Sequence, residues 1–87
     1  MFRELIMCLY DFAANNDLNV EFYVKKDECT FVLQNRERTW VYNNTIQKEH
    51  IIYSSFDAKQ YAEYTVNRVR GKLLDKGVIQ LHKKEGE

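Results

Sequence analysis

Apolar and polar positions alternate in three runs between residues 18 and 44. Leu18, Val20, Phe22 and Val24 alternate with Asn19, Glu21 and Tyr23, then Cys29, Phe31 and Leu33 with Thr30 and Val32, and Trp40 and Tyr42 continue the series. A period of two predicts strands with one buried face. The runs are separated by Lys25-Lys26-Asp27-Glu28 and by Asn35-Arg36-Glu37-Arg38, each of a length suited to a hairpin loop. Pairing Val24 with Cys29 sets Phe22 against Phe31 and Val20 against Leu33 on one continuous apolar face. In the second hairpin the same logic sets Leu33 against Trp40 and Phe31 against Tyr42. The opposite face then presents Glu21, Tyr23, Thr30, Val32, Gln34, Thr39, Val41 and Asn43. Its centre would be an exposed apolar patch of Val32 beside Val41, with Tyr23 nearby.

A different period flanks the strands. Phe2, Leu5, Ile6, Leu9, Phe12 and Ala13 recur at steps of three and four, which predicts a helix over residues 2–14 with one apolar stripe. Asn15 and Asn16 supply its end, since asparagine tolerates the left-handed conformation of a helix stop. Near the other terminus Asp57 is a good N-cap, Gln60 completes a capping box, and Phe56 with Tyr61 forms a hydrophobic staple. The core stripe of that second helix is Ala58, Tyr61, Ala62, Thr65, Val69 and Leu73, flanked by Tyr64 and Leu74. Gly71 interrupts it and marks either a close approach or a weak point. Gly77 is placed for a left-handed stop, with Val78 packing back on Leu74. Residues 50–53 read as a short fourth strand or an extended crossover, and 78–82 as a last short strand before a frayed tail at 83–87. The chain is therefore expected to be one α+β domain over residues 1–87. It is a two-layer sandwich whose antiparallel sheet of three or four strands carries both helices on the Phe22, Phe31 and Trp40 face.

Composition narrows the functions available. At 87 residues and 45% hydrophobic content the chain has material for one packed core, although a domain of this size buries only about 60 to 65% of its unfolded surface. Thirteen basic residues balance thirteen acidic ones, which excludes an all-over basic coat for nucleic acid. No run approaches a membrane span and the N-terminus lacks the pattern of a secretion signal, so a cytoplasmic location without membrane contact is expected.

Cys8, Cys29, His50 and His82 match no zinc-binding spacing and no nucleophile motif. Phosphate-binding, metalloprotease and hydrolase signatures are also missing from the sequence. The expectation is a non-enzymatic protein with no cofactor, no metal and no small-molecule substrate. Aromatic and arginine side chains are the usual anchors of protein interfaces. The candidate partner-binding residues are accordingly Tyr23, Val32, Val41, Arg36, Glu37 and Arg38. Arg68, Lys72 and Lys76 share one face of the second helix and are candidates for nucleic-acid phosphates.

The order helix, three strands, helix resembles that of double-stranded RNA binding domains, with SSFDAKQYAEYTV standing where that family begins its second helix. That family has a lysine cluster at this point, whereas this chain has Lys59 beside Asp57. Over nearly its whole length the chain also resembles the small helix, three-strand, helix proteins of phages and mobile elements, including anti-CRISPR inhibitors. This second resemblance implies a phage-encoded protein that blocks a host protein, or a protein–nucleic-acid complex, by occlusion. A homodimer formed through the outer sheet face or a sheet edge is a further expectation.

Overall fold

The computed structural model describes residues 2–37 and 39–79. In chain order it contains α1 (Arg3–Asn15), β1 (Asn19–Val24), β2 (Glu28–Gln34), β3 (Trp40–Gln47), α2 (Lys48–Ile52) and α3 (Ala58–Asp75). The strands form one antiparallel sheet in the order β1-β2-β3, so the chain has an α+β fold. The last expected strand, 78–82, falls largely outside the described residues, as does the tail at 83–87. Val78 and Ile79 themselves lie in a bend.

The first hairpin has the expected register: Val24 pairs with Cys29, Phe22 with Phe31 and Val20 with Leu33. The second does not. Leu33 pairs with Tyr42, Phe31 with Asn44 and Cys29 with Ile46, and an irregularity beside Gln34 leaves that residue paired with Trp40. The loop is the cause. Asn35 N–H donates to the Thr39 carbonyl at 3.1 Å and the Asn35 Oδ1 accepts from Thr39 N–H at 2.9 Å, which closes a turn one residue longer than the four expected. A second extra residue forms a bulge at Val41, so that from Leu33 onward the pairing lies two residues beyond the expected register, and bulges of this kind re-aim side chains.

One hydrophobic core joins the layers. It takes Leu5, Leu9, Phe12 and Ala13 from α1, Cys29, Phe31 and Leu33 from β2, Ile46 from β3, Ile51 from α2, and Ala62, Val66, Val69 and Leu73 from α3. Val66 belongs to the α3 stripe although it was not among the expected core positions, while Ala58 is only half-buried.

Both long helices stop in the same manner. After α3, Gly77 adopts φ of 74°, its N–H donates to Leu74 and the Val78 N–H donates to Leu73 at 2.9 Å. After α1 the left-handed residue is Asp17, at φ of 62°, and the Leu18 N–H donates to Ala13 at 2.9 Å. Each is a left-handed stop with two backbone bonds. The asparagines expected to take this conformation lie one and two residues earlier, and Asn16 instead donates from its side chain to the Phe12 carbonyl at 2.8 Å.

Residues 50–53, expected as a short edge strand or an extended crossover, instead form the end of the short helix α2 and its C-cap, Tyr53. β3 runs to Gln47, its end tied to the first hairpin by the Lys48 N–H bond to the Asp27 carbonyl at 2.8 Å. Gln47 N–H then donates to His50 Nδ1 at 3.3 Å, a side-chain cap that turns the chain into a helical start.

Candidate functional site

The expected patch on the outer sheet face does not form. Val32 lies in the middle of the central strand, paired with Glu21 and Asn43, and is only 5% exposed. At the bulge Val41 packs against the hydrophobic core instead of standing beside Val32. What this face presents is largely polar. Thr30 and Thr45 share a hydroxyl hydrogen bond at 2.7 Å, and Tyr23 donates its phenol to Glu21 Oε1 at 2.9 Å. That bond raises the Tyr23 pKa above its ordinary value, so the ring stays a neutral donor. Gln34 is buried on this face, and its Oε1 has no hydrogen-bond partner among the described residues.

At the tip of the second hairpin Arg36 pairs with Asp17, tying the loop to the end of α1, and Glu37 is exposed. Arg38 lies outside the described residues.

The three cations of α3 do separate things. Lys76 donates to the Val41 carbonyl at 3.1 Å and sits 6.0 Å from the centre of the Tyr42 ring, holding the end of α3 against β3. Lys72 is exposed in the last helical turn, where the helix dipole favours a positive charge. Arg68 places its guanidinium 5.8 Å from the centre of the Tyr64 ring.

Arg68 thereby joins a cluster that the sequence reading did not assemble. Asp57 and Gln60 start α3 with reciprocal bonds of 3.0 and 2.8 Å. With that start fixed, Phe56 lies against Tyr64 with ring centres 5.5 Å apart, and Tyr64 meets Tyr61 edge-on at 5.9 Å. The phenylalanine therefore packs against Tyr64 rather than acting only as a staple to Tyr61. Ser54 fixes the approach, since its hydroxyl donates to the Ile51 carbonyl at 2.8 Å and accepts from the Phe56 N–H at 3.2 Å. His50, Ser54, Ser55, Phe56, Tyr61, Tyr64 and Arg68 line an open groove of about 600 Å³ at this α2–α3 corner. Beyond the groove Ile52 is exposed, and Tyr53 is 84% exposed. The signal was present as four aromatic residues at 53, 56, 61 and 64 around the capping box. Assigning 50–53 to a strand separated the first of them from the rest.

A second groove, of about 420 Å³, runs between α1 and α3 and contains Cys8, Asp11, Glu63 and Arg70. Burial, followed by the Glu63 and Asp11 carboxylates, raises the Cys8 pKa and keeps the thiol protonated. Arg70 is committed to Asn67 Oδ1 at 2.6 Å and to the Phe12 ring at 5.4 Å. Cys29 is enclosed in the core and its thiol is likewise held up by burial. Neither thiol has the electropositive setting of a nucleophile. Among the described residues no group of three or more His, Cys, Asp or Glu side chains is placed to hold a metal ion, and no helix is long and apolar enough to cross a membrane.

No protein-family model matches the chain, and no curated protein or solved structure is significantly similar to it.

Proposed function

We propose that the chain is a small non-enzymatic protein-binding module that engages its partner through the α2–α3 corner. The observation that carries this reading is the exposed Phe56–Tyr64 pair with Arg68 laid on Tyr64, beside Tyr53 and Ile52. Tyr and Arg are enriched at the energetic centres of interfaces, and rigid aromatic rings contribute contact area at low entropic cost. The stacked guanidinium is in no ion pair among the described residues, so it is available to a carboxylate on a surface whose apolar side chain fills the groove. Occlusion of a host protein, the action implied by the anti-CRISPR resemblance, needs only such a surface and no chemistry.

Affinity capture from a bacterial lysate treated with nuclease tests the reading. A protein recovered by the wild-type chain should be lost with Tyr64→Ala and with Arg68→Glu, each weakening binding by about 2 kcal/mol or more, as expected of an interface anchor. Binding that survives both substitutions removes the corner from the interface. The second reading is nucleic-acid binding, favoured by the same cation beside stackable rings. It is supported instead if recovery vanishes with nuclease and if affinity falls steeply with added salt.

A further inference from the structure

The two edges of the sheet are not equivalent. On β3, the Thr45 N–H is taken by Asn44 Oδ1 at 2.8 Å and the Val41 carbonyl by Lys76 Nζ at 3.1 Å, so side chains of the same molecule occupy groups that a further strand would need. On β1 the phase is set by the Lys25 N–H bond to the Glu28 carbonyl at 2.8 Å together with the register that follows it. Residues 19, 21, 23 and 25 turn their backbone groups toward β2, and the alternating residues Val20, Phe22 and Val24 turn theirs outward. Among the described residues no side chain bonds to the backbone of those three.

The surroundings of this edge are apolar. Val24 is more than half exposed, and so are Met7 and Tyr10 on α1. Tyr10 and Ala14 line a shallow groove with Leu18 and Val20, which places this flank of α1 beside β1. Met7 lies one helical turn before Tyr10 on the same flank.

From this edge we infer that two copies of the chain pair antiparallel through β1, forming a continuous six-stranded sheet about a two-fold axis at Phe22. The register is self-complementary. With Phe22 opposite its own counterpart, Val20 of one copy faces Val24 of the other, and all three outward-turned residues become hydrogen-bonded pairs. On the opposite face Tyr23 of each copy falls opposite Glu21 of the other, the donor and acceptor that already bond within one chain. Shifting the axis to Glu21 would oppose two carboxylates, which disfavours that register. This surface is separate from the α2–α3 corner and does not depend on it.

Analytical ultracentrifugation of the full chain from micromolar to submillimolar concentration, combined with amide hydrogen exchange, tests the inference. The wild-type protein should pass from one chain mass to two. The Val20, Phe22 and Val24 amides should become protected in step, because they have no partner within one copy. Val24→Lys, at an exposed position, should remain monomeric over the same range with an unchanged circular dichroism spectrum. A wild-type chain that stays monomeric overturns the inference. So does a dimer in which these three amides exchange freely, or one undiminished by Val24→Lys. Protection of the same amides by a different protein, with no self-association, overturns it in favour of strand addition to that protein.

Discussion

Gly71 lies inside α3 with its Cα directed into open space, since a Cβ added there would meet nothing within 4 Å. No close approach explains it, so of the two readings of this residue the weak point holds. Gly71→Ala should raise stability by about 1 kcal/mol through helix propensity and a less flexible unfolded chain, read as a higher denaturation midpoint at an unchanged m-value. Cys29 has a pH signature. Its thiol is held above the ordinary value of 9.0 by burial alone, so the folded chain keeps a proton that the unfolded chain releases. The contribution is fully present below pH 9 and is lost as pH rises from there through the folded-state pKa. A denaturation series across that window should show a falling midpoint, with a shallower slope in Cys29→Ala. Asp17 shows where residue-level reading stopped short. Asparagine was the expected helix stop by propensity, but the left-handed position is set by where the helical bonds run out, and the ion pair with Arg36 helps to hold an aspartate there.

At the level of elements, capping chemistry was legible and loop chemistry was not. The Asp57–Gln60 box formed as read because all its partners lie within four consecutive residues. Asp57→Ala should cost about 1 kcal/mol, and because that box begins the helix bearing Tyr64, amide exchange should quicken in the first turn of α3 before the rest of the helix. The first hairpin was also legible, since alternation and a four-residue loop agree on one register. In the second, alternation was satisfied by two registers, and the choice rested on the Asn35 side chain bonding the Thr39 N–H, a bond with no pattern of its own. The longer loop and the bulge that follows it together set Val41 against the core instead of on the outer face, so the expected Val32–Val41 patch does not form. The helical turn at residues 50–53 has a related cause: a run as short as His50-Ile51-Ile52-Tyr53 has no resolvable period, and its conformation is decided by the cap at Gln47 and by the burial of Ile51.

Over the whole molecule, the described residues form a flattened body with principal extents of 40, 28 and 19 Å around one core. Its fully enclosed side chains include Leu5, Leu9, Phe31, Leu33 and Leu73, so both helices and the central strand share the same interior. Among the described residues the exposed large hydrophobic side chains fall into two sets, with Met7, Tyr10, Tyr23 and Val24 on α1 and β1 and Ile52, Tyr53, Phe56 and Tyr64 around the α2–α3 corner. The sequence contained every one of these residues, but their division into two surfaces depends on the helical turn at 48–52 and on the phase of β1. The lysine and asparagine that occupy the far edge of the sheet bear on what the protein can become at high concentration. A sheet with two open edges can add copies indefinitely and lengthen into a fibre. On β3 the Thr45 N–H and the Val41 carbonyl are already taken by side chains of the same chain, so an assembly built on the proposed β1 pairing would end at two copies rather than lengthen.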